Sequence, residues 1–84
     1  MTPTEQFEDA QKRVKTLKEA PSNDELLELY ALFKQATVGE VSGSRPGMMD
    51  FKGRAKFDAW TKKKGLAQDV AMASYVVLVN RLLK

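Results

Sequence analysis

Tyr30 and Lys34 stand four residues apart in a segment of helical periodicity, which puts a phenol and an ammonium on one helix face. Lys52, Lys56 and Trp60 repeat that spacing further along the chain. If the two faces converge, two or three lysines and a tyrosine hydroxyl can surround one phosphate monoester, which carries roughly −1.5 to −2 charges at pH 7. A neighbouring aromatic ring can stack on a base. On the residues alone the competing reading is plainer, with Tyr30 in the core and the lysines on a solvated face.

Other chemistries are excluded by what is missing. The chain has no Cys and no His, so it has no disulfide, thiolate nucleophile or zinc–thiolate site, and it lacks the usual general base and metal ligand. Gly39, Gly43 and Gly47 follow no strand and precede no Gly-Lys-Ser/Thr, so they are loop punctuation rather than a phosphate-binding fingerprint. Glu8/Asp9 and Asp24/Glu25 fall in the first halves of their helices, where the helix dipole accounts for them. The expectation is a binding protein, not an enzyme, with no catalytic residue, metal site or cofactor.

The elements that must position these groups fit one domain over residues 1–84, with a thin core and a surface groove rather than an enclosed cavity. The chain carries a net charge of +3, unevenly spread. Through Glu28 seven acids face four bases, whereas from Lys34 to Lys64 eight bases face three acids. An anionic partner on the middle of the chain is implied: nucleic acid, an acidic membrane or a phosphorylated small molecule. Met1 to Glu5 has no basic region followed by an apolar one, and the uncharged stretch Val70 to Val79 is far short of the about 18 residues of a membrane span. A cytoplasmic monomer without stable membrane insertion is expected.

Four helices and no sheet are read along the chain. The first starts at a Thr2 cap with Pro3 and Glu5, buries Phe7, Ala10, Val14 and Leu17, and stops at Pro21. Ser22 to Glu25 caps a second helix that runs to Gly39, with Leu26, Leu29, Tyr30 and Phe33 as one face and Leu27 to its side. Glu40 to Asp50 is an ordered loop. A third helix runs from Asp50 or Phe51 to Gly65, with Lys62-Lys63-Lys64 answering its negative end. The fourth, about Ala67 to Leu83, carries two apolar stripes, Ala71/Tyr75/Leu78/Leu82 and Met72/Val76/Val79/Leu83, and lacks a Ser or Thr cap.

The segment Tyr30 to Glu40, with its Lys-Gln-Ala-Thr-Val-Gly, and Arg45-Pro46-Gly47-Met48-Met49-Asp50-Phe51-Lys52 continuing to Trp60 resemble the acyl-CoA-binding protein family. The resemblance covers nearly the whole chain, including Phe7, Ala10, Val14 and Leu17, Pro21-Ser22, and Ala71, Tyr75 and Val79. It implies an all-α, four-helix up-down-down-up bundle that holds long-chain fatty acyl-CoA in an open groove and carries it in the cytosol. By position, Tyr30, Lys34 and Lys56 would hold the 3′-phosphate of CoA, Tyr75 would lie near the same nucleotide, Lys15 beside the adenine, and Lys52 would be a further contact. Leu26, Leu27 and Met48 to Phe51 would form the wall for the acyl chain. Transient contact with acyl-CoA-using enzymes or membranes is compatible with such a carrier.

Two positions depart from the family pattern. Phe33 stands where the family usually has Tyr, which keeps ring packing at that ligand position and removes a hydroxyl, and Phe57 replaces the first of two tryptophans. These departures keep open a second reading, a helical protein-interaction module with a vestigial groove. Weak nucleic-acid binding through the basic middle is a third, and it would require no acyl chain.

Overall fold

The computed structural model describes residues 2–84. Four helices account for the fold: α1 (Pro3–Arg13), α2 (Asn23–Thr37), α3 (Phe51–Thr61) and α4 (Gln68–Leu82). No strand occurs among the described residues.

Three of the helix starts are capped as the sequence requires. Thr2 Oγ1 accepts from the Glu5 amide at 3.1 Å while Glu5 Oε1 accepts from the Thr2 amide at 3.0 Å. Ser22 and Glu25 repeat this reciprocal pair at α2, with distances of 3.2 and 2.8 Å. Asp50 caps α3 by accepting from the Gly53 amide at 2.9 Å. Ala67, at the start of α4, offers no side-chain cap.

Two helix ends come earlier than the sequence reading placed them. After Arg13 the chain tightens into a 3-10 turn, Val14–Thr16, in which the Thr16 hydroxyl donates to the Arg13 carbonyl at 2.6 Å. Leu17 then turns extended, so the first helix stops well short of Pro21. α3 ends at Thr61 rather than Gly65, because the amides of Lys63 and Lys64 bond back to Trp60 and Thr61, three residues away, and Gly65 takes φ +89°. The lysine run thus lies beyond the last helical turn. Lys63 reaches across to Glu28 at 2.6 Å and so ties the turn after α3 to α2.

Contacts fix the directions of the helices. Phe7 meets Tyr75 and Arg13 meets Asn80, so α1 and α4 run parallel. Gln68 donates to the Ala36 carbonyl, while Glu28 shares a groove with Val77 and Arg81, so α2 is antiparallel to α4. Lys56 lies over Tyr30 and Lys34 over Trp60, so α3 runs parallel to α2. This is the expected up-down-down-up order. A parallel α2/α3 pair needs a connection that returns the length of a helix, and residues 38–50 supply it.

The core lies between α1, α2 and α4. Phe7 packs edge-on against Tyr75, centroids 5.1 Å apart, and tilted against Phe33 at 6.1 Å. Both stripes of α4 are used: Ala71, Tyr75, Leu78 and Val79 are buried, with Met72, Val76, Leu82 and Leu83 packed against them. On α2 the buried arc is Leu29, Ala31, Leu32, Gln35 and Ala36, because the helix is covered by α4 on one side and α3 on the other. The expected face through Leu26 is therefore displaced: Leu26 is 46% exposed, and Tyr30 and Phe33 are half-buried.

The long loop is pinned at its start. Gln35 Nε2 donates to Glu40 Oε1 at 2.9 Å and to the Leu66 carbonyl at 2.7 Å, and the Gly65 amide donates to the same Glu40 oxygen at 2.7 Å. The Gly65 amide, then Gln35, hold the Glu40 carboxyl below its ordinary range. Further along, Arg45 forks onto Asp58 at 2.9 and 2.7 Å.

Candidate functional site

Parallel packing of α2 on α3 sets their side chains in one register. The Lys56 ammonium lies 5.4 Å from the Tyr30 ring centroid, and one helical turn later the Lys34 ammonium lies 5.1 Å from that of Trp60. Trp60 is buried, and its indole N–H donates to the Gly39 carbonyl at 2.9 Å. The spacing within each helix thus becomes a row of two cations and two aromatic rings along the α2/α3 seam. The sequence reading grouped Trp60 with Lys52 and Lys56; its cation partner is Lys34, supplied by the other helix.

Toward the start of both helices the seam opens into a groove of about 520 Å³ lined by Asn23, Leu26, Leu27, Phe51, Lys52, Ala55 and Lys56. Its lining is largely apolar, with two ammonium groups and no carboxylate. The far side of the seam differs, since Asp24, Glu28 and Asp58 stand there beside Lys62 and Lys63. One face of the α2/α3 pair therefore suits a molecule with both an anionic and an alkyl part. Another groove, of about 560 Å³ between α2 and α4, contains Leu32, Val77 and Arg81 and none of the expected site residues.

Six expected residues, Leu26, Leu27, Tyr30, Lys34, Lys52 and Lys56, thus share one surface. Phe33 and Tyr75 do not join it directly; both pack on Phe7, and burial raises the Tyr75 hydroxyl above its ordinary pKa. Lys15 is exposed on the 3-10 turn after α1. Met48 and Met49 do not line the groove; at 76% and 89% exposure they project from the molecule, whereas Phe51 stands at the groove's mouth. Sequence reasoning missed the Trp60–Gly39 bond, although a buried indole N–H must find an acceptor. It also missed Gln35 and Glu40, whose partners come from the α3–α4 turn and have no local spacing signal.

The acyl-CoA-binding protein family model, "Acyl CoA binding protein", matches residues 4–79. The chain belongs to this family. An acyl-CoA-binding protein homolog from Caenorhabditis elegans is 61% identical over 77 residues, covering 92% of this chain and 90% of that protein. A homolog from Manduca sexta is 50% identical over 84 residues, covering 99% and 93%. Among solved structures, acyl-CoA-binding protein 2 of Oryza sativa superposes with a TM-score of 0.92 at 44% identity, covering 96% of this chain and 88% of that one. The solution structure of the yeast protein gives 0.72 at 48% identity, covering 92% and 90%. The up-down-down-up arrangement is thus that of the family.

Proposed function

We propose that this chain binds long-chain fatty acyl-CoA esters in the α2/α3 groove and serves as an intracellular carrier and pool former, acting as a cytoplasmic monomer without catalysis or cofactor. The observation that carries this reading is the meeting of Lys52 and Lys56 with Leu26 and Leu27 in one groove, beside Tyr30 and Lys34. Tyr30, Lys34 and Lys56 hold the 3′-phosphate of CoA, with Lys52 as a further cation. Tyr75 serves the same nucleotide, Lys15 the adenine, and Phe33 contributes ring packing without a hydroxyl. Leu26 and Leu27 line the path of the alkyl chain.

Physical chemistry divides the work between the two ends of the ligand. Cations already seated over aromatic rings hold a polyanionic head, and a solvent-facing apolar strip takes the tail. Each buried CH₂ contributes up to about 0.8 kcal/mol, so two more carbons tighten binding by up to roughly tenfold until the groove is full. The chain has neither thiol nor imidazole to attack the thioester it holds.

Titration calorimetry with palmitoyl-CoA, CoA and palmitate tests the reading. Sub-micromolar binding of the thioester, with far weaker binding of either half, is expected. A folded sample that takes up no palmitoyl-CoA sinks it.

A further inference from the structure

We propose that the turn bearing Met48, Met49 and Phe51 docks the protein onto an anionic lipid surface, at the mouth of the α2/α3 groove. These three residues are 76%, 89% and 76% exposed, an apolar cluster that stands further into solvent than any other large hydrophobic residue described, the next being Val77 at 57%. The local backbone holds them outward. Asp50 donates its amide to the Gly47 carbonyl at 3.0 Å, closing a turn whose apex is Met48-Met49. The Asp50 carboxylate is turned back to cap Gly53, so the one acid in the turn is engaged with the start of α3.

Behind the apex the charge is positive. Phe51 leads into the groove wall, where Lys52 and Lys56 supply two ammonium groups and no carboxylate intervenes. An apolar prong backed by lysines matches the cross-section of an anionic leaflet: methionine and phenylalanine side chains enter below the headgroups while lysines reach the phosphates. A folded protein partner would demand shape complementarity over a far larger area than one turn offers, whereas a fluid lipid surface demands none. The docking rests on the turn and its cations and stands whether or not the groove takes acyl-CoA.

The test uses the full chain without acyl-CoA, sedimented with vesicles of phosphatidylcholine alone or mixed with phosphatidylglycerol. Binding is expected to the mixed vesicles, to weaken with added salt, and to be slight on phosphatidylcholine. Met48→Ser/Met49→Ser is expected to bind mixed vesicles at least roughly tenfold more weakly. Its helical circular dichroism and its thermal unfolding stay at the wild-type level, showing that the fold persists. Met49→Trp gives a direct readout, an emission shifted to the blue on adding mixed vesicles. Absence of binding to the mixed vesicles overturns the proposal, as does equal binding by the double serine variant. Self-association of the wild type that the double variant lacks also overturns it, by showing that a second copy covers the turn. The palmitoyl-CoA titration is read separately, so neither result decides the other.

Discussion

The ammonium of Lys34 stands over the ring of Trp60, 5.1 Å from its centroid, and Trp60 is the chain's single tryptophan. A phosphate that draws Lys34 toward itself must alter the field on that indole, whose own N–H is tied to Gly39. CoA without an acyl chain is therefore expected to change Trp60 emission. Lys34→Ala is expected to remove most of that change. Unaltered emission at a CoA concentration that calorimetry shows to be saturating would mean that Lys34 takes no part.

Lys34→Ala and Lys56→Ala are each expected to weaken both CoA and palmitoyl-CoA by roughly ten- to a hundredfold, the scale of a hydrogen bond to a charged group. Neither lysine is paired with a carboxylate among the described residues, so truncation leaves no orphaned acid there and the helical signal should persist. Wild-type affinity in both folded variants would refute the phosphate clamp.

Leu26→Asp separates tail from head. Leu26 is 46% exposed at the groove, so a carboxylate there disturbs little packing but opposes an alkyl chain. The expected result is a flattened dependence of affinity on chain length, with CoA affinity changed far less. An undiminished gain per added carbon pair would place the acyl chain elsewhere.

What the sequence revealed and what it hid divide by range. Thr2/Glu5 and Ser22/Glu25 are local patterns, and their helices begin where those patterns say. The stripes of α4 were legible because Tyr75, Leu78 and Val79 repeat at helical spacing. The buried face of α2 was legible only in part: Leu29 lies on the face that the spacing marks, whereas Gln35 is buried because it answers to the α3–α4 turn. Spacing also placed Lys34 and Lys56 on helix faces without pairing them, since Trp60 and Tyr30 come from the partner helix. The family resemblance grouped Tyr30, Lys34 and Lys56 around one phosphate, but it did not set Lys34 over Trp60. The early end of α1 was hidden for a different reason: Thr16 competes for the Arg13 carbonyl, an event that apolar periodicity does not register.

Acid is expected to destabilise the fold. The Gly65 amide and Gln35 lower the Glu40 pKa below its ordinary 4.5, Thr2 lowers that of Glu5, and Arg45 lowers that of Asp58 below 3.8. For such groups the stabilisation is complete above the ordinary value and lost as pH falls through the depressed one. Urea midpoints should therefore drop below pH 4.5, beginning with the glutamates. Glu40→Gln should lower the midpoint at neutral pH and shrink the acid-induced drop. A drop as large as in wild type would show that the Gly65 and Gln35 contacts contribute little.

Ala67→Ser is expected to stabilise the protein. Ala67 starts α4 at φ −64°, ψ 149°, close to the −62° and 163° of Ser22, where a serine hydroxyl already caps α2. A full cap contributes about 1 kcal/mol, worth roughly 4–8 °C in Tm for a domain this small. Part of that benefit is already taken, because Asp69 Oδ1 accepts from the Val70 amide at 2.9 Å, the donor a serine at 67 would use. The gain is therefore expected at about half the full value, and the two caps should not be additive. Asp69→Ala should cost more in the wild-type background than alongside Ala67→Ser, where the new hydroxyl takes over the Val70 amide. Equal costs in the two backgrounds, measured by thermal unfolding, would show that Asp69 acts through the helix dipole and not as a substitute cap.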